Sequence, residues 1–201
     1  MSDTPSSTRR ARCVRCGLPA RTCVCALAAR VDNDVDVLVL QHPDEADEAK
    51  NSVRLLRLSL TRCRVVVGEA FEPAELLALL GGDVSGVALL YPADTATGTG
   101  LIQNPARPRR LVVLDGTWRK SLRMLHANPL LQSLPRWSLA PSGPTRYAAL
   151  RKARRPAQLS TLEAACAALA NIEAAPARYE PLLAAFERFV ADRASRARGA
   201  P

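Results

Sequence analysis

The chain has 201 residues, 48% of them hydrophobic, and a formal charge of +9 at pH 7. This is enough apolar content for one α/β-sized domain with a small appendage, and a second large domain is not needed. No stretch approaches the ~20 apolar residues of a membrane-spanning helix, and the polar residues 1–12 lack an apolar signal core, so a soluble, cytoplasmic protein without a membrane partner is expected. The positive charge is carried mostly by arginine. Its planar guanidinium suits phosphate contacts and favours a nucleic-acid partner over the alternative of a merely solvated basic face.

The first segment in chain order is "CVRCGLPARTCVC", with Cys13, Cys16, Cys23 and Cys25. A Cys-x-x-Cys turn and a Cys-x-Cys pair in extended chain each aim two sulfurs at one centre, and four thiolates close a tetrahedron with no open position. A structural Zn2+ is the reading, against two disulfides, because cytosolic thiols stay reduced. Residues 1–30 are taken as this four-cysteine, zinc-binding segment and 31–201 as the main domain. Arg12, Arg15 and Arg21 ring the cluster, making a basic knuckle able to touch a phosphate backbone. Cys63 and Cys166 lie among apolar residues and read as small core side chains.

From residue 34 strands and helices alternate. Strands are predicted at 35–40, 64–68, 86–92 and 110–116, where short runs rich in Val and Leu fit a parallel sheet buried on both faces. Helices are predicted at 45–60, 73–81, 117–127, 160–173 and near 181–195. Pro73 opens the second and Gly81 closes it, Thr117 starts the third, and Ser160 with Glu163 has capping-box spacing. The last has an apolar face of Leu182, Leu183, Phe186 and Phe189 or Val190. Residues 93–110 form a loop long enough to suggest function, and "LPRWSLAPSG" is a polar, proline-rich crossing able to hold an edge strand.

Such a sheet binds ligands beyond the carboxyl ends of its strands. Three loops lie there, "QHPDE" (with His42), "LLYPAD" and "LDGTW". In the last, an aspartate held by the sheet, a glycine permitting close approach and a stacking tryptophan would grip an adenosine or a base. On residue chemistry alone, Asp115 as a helix cap and Trp118 as core filling remain equally open. His42 reads as a hydrogen-bonded loop histidine. No Walker-type phosphate loop and no Gly-x-Gly-x-x-Gly follows a strand, which disfavours nucleotide hydrolysis and hydride transfer.

Together, "CVRCGLPARTCVC", "QHPDE", "NSVRLL", "LLYP", "LDGTWRKSLRM", "NPLLQSLPR", "TRYAALRK" and "LSTLEAA" resemble the DTW-domain family, named for the residues here numbered Asp115, Thr117 and Trp118. The match runs from about residue 12 to 173. Ser121, Thr145 and Ser160 depart from it at positions where the family favours alanine-like, serine and cysteine residues. The resemblance implies a tRNA-uridine aminocarboxypropyltransferase, transferring the 3-amino-3-carboxypropyl group of S-adenosyl-L-methionine to N3 of a tRNA uridine and releasing methylthioadenosine. It also implies a SPOUT-like fold with a C-terminal trefoil knot, which no feature of the sequence would itself predict.

By the same resemblance, Asp115, Thr117 and Trp118 are the catalytic candidates. Leu89, Leu90, Tyr91, Pro92, Leu114, Asp115, Trp118, Leu159, Ser160 and Thr161 are the cofactor-binding candidates. Asp115 would assist loss of the uracil N3 proton or hold the cofactor's ammonium. The tRNA would be held by Arg107, Arg109, Arg110, Lys120, Arg123, Arg146, Arg151, Lys152, Arg154 and Arg155, and no obligate protein partner is implied. Two other readings stay open: a SPOUT-like RNA methyltransferase, separated by its co-product, and a non-catalytic zinc-containing RNA-binding module, separated by cofactor binding.

Overall fold

A computed structural model describes residues 12–48, 50–92, 106–139 and 159–198. Five parallel strands form one sheet: β1 (Asp36–Gln41), β2 (Cys63–Val67), β3 (Val87–Leu90), β4 (Arg110–Asp115) and β5 (Arg136–Trp137), in the order β2-β1-β4-β3-β5. The α/β class and mainly parallel sheet read from the sequence are therefore observed, and the crossing before residue 140 does contain a short edge strand. In the β1–β4 register Gln41 lies opposite Asp115, so these two polar residues end adjacent central strands side by side.

Side chains alternate across a strand, so each central strand feeds two cores. Val37, Val39, Leu111 and Val113 pack on one face with α2 (Val53–Ser59), α6 (Thr161–Ile172) and α7 (Pro176–Arg198). Leu38, Leu40, Val112 and Leu114 pack on the other with α3 (Pro73–Leu80), α4 (Trp118–Ala127) and α5 (Pro129–Gln132). Cys16, Leu18 and Val24 of the knuckle lie in the first core beside Leu55 and Phe189.

Helix punctuation follows the sequence at three points. Thr117 caps α4, Gly81 closes α3 at φ 108°, and Ser160 and Glu163 form a complete capping box on α6. Two predicted helices need correction. The 45–60 helix is two pieces, α1 (Pro43–Ala46) and α2, because the Asn51 side chain accepts a hydrogen bond from the Val53 amide at 2.8 Å and starts α2 afresh. The last helix begins at Pro176, and Pro181 lies inside it. Its first turn is fixed by fully buried Tyr179, whose hydroxyl donates to Glu173 at 2.7 Å.

Among the described residues no helix is long and apolar enough to cross a membrane. The path of the implied knot depends on residues outside the described ones.

Candidate active site and metal centre

Asp115 is the last residue of β4 and is 5% exposed. Its Oδ2 accepts hydrogen bonds from Gln41 Nε2 and Asn51 Nδ2, both at 2.8 Å, and its Oδ1 accepts one from the Thr161 hydroxyl at 2.6 Å. One carboxylate thus joins the end of β1, the start of α2 and the first residue of α6. A carboxylate has about four acceptor directions, so among the described residues one stays unused, on Oδ1. Its backbone is held too, because the His42 amide donates to the Asp115 carbonyl at 2.9 Å.

The two residues that follow position the tryptophan. A Cβ on Gly116 would lie 3.0 Å from Lys120 Cβ, so glycine lets α4 start tightly against the strand. Thr117 Oγ1 then accepts from the Lys120 amide at 3.4 Å. Trp118, first residue of α4, is 53% exposed and meets Tyr91 edge-on with centroids 5.7 Å apart. The Arg136 guanidinium lies 5.5 Å from the Tyr91 ring centroid. Trp118 is therefore neither core nor cap, but an open aromatic face at the carboxyl edge of the sheet.

The other cofactor candidates divide by what they can offer. Leu89 and Leu114 point into the α3–α5 core and present only backbone to a ligand. Leu90 ends β3 and Tyr91 and Pro92 follow it, and Leu159, Ser160 and Thr161 lead into α6, next to Asp115 through Thr161.

Beside them lies a charged cluster. His42 is buried, its Nδ1 accepts from the Asp44 amide at 3.2 Å, and its Nε2 lies 3.2 Å from both Glu69 Oε2 and Arg123 Nη2. Arg123 donates to both Glu69 oxygens at 2.7 and 2.8 Å, and Lys120 Nζ donates to Glu45 at 2.7 Å. These bonds hold the Glu69 carboxyl below its usual range and the Lys120 ammonium above its own. Lys120 and Arg123 are near the site, yet each is already matched by a carboxylate.

The structure does not bring Arg107, Arg109 and Arg110 to this place. They lead into β4 at the opposite, amino end of the sheet and pair with Asp34, Asp83 and Asp36 at 2.9, 3.2 and 3.1 Å. Arg146, Arg151, Lys152, Arg154 and Arg155 lie outside the described residues. Sequence reasoning misses Gln41 and assigns no role to Asn51; the available signal is a polar residue closing each of two otherwise apolar or helical patterns.

Along the side of α2 stands the cysteine cluster, with Arg54 and Arg57 donating to the Cys16 and Arg15 carbonyls. The sulfurs of Cys13, Cys16, Cys23 and Cys25 lie within 4.8 Å of one another, with Cys13–Cys25 at 3.6 Å and Cys16–Cys23 at 3.7 Å. The turn is built by Gly17 at φ 70°, whose amide donates to the Cys13 carbonyl at 2.7 Å. Backbone amides of Cys16 and Arg15 lower the Cys13 thiol to about 6, while burial and the neighbouring thiols push Cys25 up to about 12. The cluster could hold a metal ion. Burial pushes Cys63 and Cys166 up to about 12, as suits inert core thiols.

The DTW-domain model matches residues 10–194, from the knuckle into α7. The chain belongs to the DTW-domain family. It is 32% identical over 173 residues to the tRNA-uridine aminocarboxypropyltransferase 2 of Mus musculus, covering 82% of this chain and 57% of that protein. It is 30% identical over 183 residues to the enzyme of the same name from Drosophila melanogaster, covering 87% of this chain and 71% of that protein. The chain thus spans little more than half of the mouse relative's length. No solved structure matches the chain significantly. In this DTW-domain chain the naming residues fall on one strand-to-helix turn, with the aspartate inward and the tryptophan outward.

Proposed function

We propose that the chain is a cytoplasmic tRNA-uridine aminocarboxypropyltransferase, using S-adenosyl-L-methionine to place a 3-amino-3-carboxypropyl group on N3 of a uridine. The observation that carries this reading is Asp115, fixed by Gln41, Asn51 and Thr161 with one acceptor direction left on Oδ1, beside the open ring of Trp118. The donor set fits the co-substrate: a carboxylate for an ammonium, aromatic rings for adenine, and backbone after β3 and β4 at the sheet's ligand edge. When bound, the co-substrate supplies an activated sulfonium leaving group.

The chain's own residues then orient. Leu90, Tyr91 and Pro92 with the backbone of Leu89 and Leu114 line one side, and Leu159, Ser160 and Thr161 the other. Trp118 offers its face to a base or to adenine, and Thr117 fixes the helix start behind it. The last acceptor direction of Asp115 takes one donor: the uracil N3–H, whose proton it would accept as N3 is alkylated, or the cofactor's ammonium, in which case that proton would leave to solvent. Positioning supplies most of the choice between the carbons on sulfur, since the leaving group is already activated.

The four cysteines fit Zn2+ in a structural role. Around an ion bound at the ~2.3 Å of a zinc–thiolate bond, a tetrahedron has sulfur–sulfur edges of roughly 3.8 Å, near the 3.6 and 3.7 Å found. The test of the reaction is its co-product: methylthioadenosine supports group transfer, whereas S-adenosylhomocysteine shows methyl transfer and overturns it. A non-catalytic module would yield neither and bind no cofactor in calorimetry.

A further inference from the structure

Among the described arginines some are matched by carboxylates and others, including three clustered on the knuckle, are not. Arg107, Arg109, Arg110 and Arg123, with Lys120, all face carboxylates. Arg12, Arg15 and Arg21 of the knuckle are exposed, and among the described residues none of their guanidinium groups has a carboxylate partner. The chain around them is rigidly mounted. Arg57 of α2 donates to the Arg15 carbonyl at 2.6 Å, and from α7 Arg193 and Arg196 donate to the Thr22 and Arg21 carbonyls at 3.1 and 2.5 Å. These three mounting arginines add charge to the same face and spend their bonds on carbonyls rather than on carboxylates. Between Cys13 and Cys16, Val14 is 101% exposed beside Arg15, an apolar side chain that no described residue covers.

This face also adjoins the site. Arg54, in the first turn of α2, donates to the Cys16 carbonyl at 2.9 Å and to the Ala46 carbonyl of α1, and three residues earlier Asn51 holds Asp115. One helical turn therefore connects knuckle and carboxylate.

We propose that the knuckle, with the ends of α2 and α7, is the surface that grips the backbone of the substrate RNA. Arg12, Arg15 and Arg21 contact phosphates, and Val14 packs against a sugar or an unstacked base. This rests on the reading of the substrate as tRNA. The phosphate contacts position the RNA without reading its sequence, which leaves selection of the uridine to the aromatic edge around Trp118.

The test is direct binding of unmodified tRNA to the full chain, without co-substrate, across a salt titration. The triple variant Arg12→Ala, Arg15→Ala, Arg21→Ala is expected to bind at least tenfold more weakly, with the slope of log affinity against log salt flatter by about 2–3, at ~0.7–0.9 for each phosphate no longer neutralised. The corresponding triple lysine variant restores most of the affinity. Val14→Glu, a change at a fully exposed side chain, weakens binding several-fold and carries the test if the triple variant loses its metal. The control is Arg64→Ala, on the face of β2 turned away from the knuckle by strand alternation, which leaves affinity unchanged. Unaltered tRNA affinity in both the triple variant and Val14→Glu overturns the proposal. Wild-type product formation with unaltered knuckle-variant binding sinks this surface alone; weakened binding with no transfer by the wild type sinks the reaction alone.

Discussion

The hydroxyl of Thr161, the first residue of α6, donates to Asp115 Oδ1 at 2.6 Å and so closes the front of the site from a segment 46 residues away in the chain. With Gln41 and Asn51 on Oδ2 it makes the carboxylate a shared hub. Asp115→Asn keeps the shape but turns one acceptor into a donor that faces a donor. We predict a stability loss of about 1–3 kcal/mol, the cost of leaving a buried polar group unmatched, and a fall in kcat of at least tenfold. Thr161→Val should lower kcat less and, in a double-mutant cycle with Asp115→Asn, show clear non-additivity. Additive effects would mean that the bond does not position the carboxylate.

Trp118 separates stability from function. At 53% exposure it contributes little beyond its edge contact with Tyr91, so Trp118→Ala should cost only about 0.5–1.5 kcal/mol in denaturant unfolding. If its open face stacks on a substrate ring, the same change raises KM about tenfold or more, and Trp118→Phe recovers part of it. An unchanged KM removes the stacking role.

Metal removal should loosen more than the knuckle, because Cys16, Leu18 and Val24 are buried in the core shared with α2, α6 and α7. Cys16→Ser is expected to release the bound metal. A loss of about 3 kcal/mol corresponds to a Tm lower by roughly 6–12 °C for a chain of this size. Metal analysis alongside calorimetry checks both. Full metal content in the variant, or an unchanged Tm after chelation, would contradict the structural role.

Glu69 and Asp34 predict the acid side of the stability curve. Arg123 lowers the first, and Arg178 with Arg107 lowers the second. A depressed folded value means that the stabilisation is complete above the unfolded carboxylate range and is lost as pH falls from about 4.5 through the lowered values. Both groups are solvent-exposed, so the effect is small. In Arg123→Ala the Glu69 titration, followed by NMR, should move back up towards the ordinary range; a midpoint that stays put would show that Arg123 is not its partner.

Much of this was legible residue by residue. Apolar runs marked four of the five strands, Thr117, Gly81 and the Ser160–Glu163 pair marked helix ends, and cysteine spacing marked the knuckle, because each signal is local. Gln41 and Asn51 were not legible as site residues. Their meaning depends on strand register and on a helix break that puts two amides against one carboxylate. The pairing of the arginines was not legible for the same reason: Asp34 and Asp36, over 70 residues before Arg107 and Arg110, are folded against them.

The central claim is the reaction itself, and nucleoside mass spectrometry of tRNA incubated with the protein and S-adenosyl-L-methionine tests it most directly. The account predicts a uridine heavier by one 3-amino-3-carboxypropyl group, one methylthioadenosine released for each, and neither product with Asp115→Ala. A methylated nucleoside with S-adenosylhomocysteine, or tRNA returned unmodified by folded, metal-loaded protein, would contradict it.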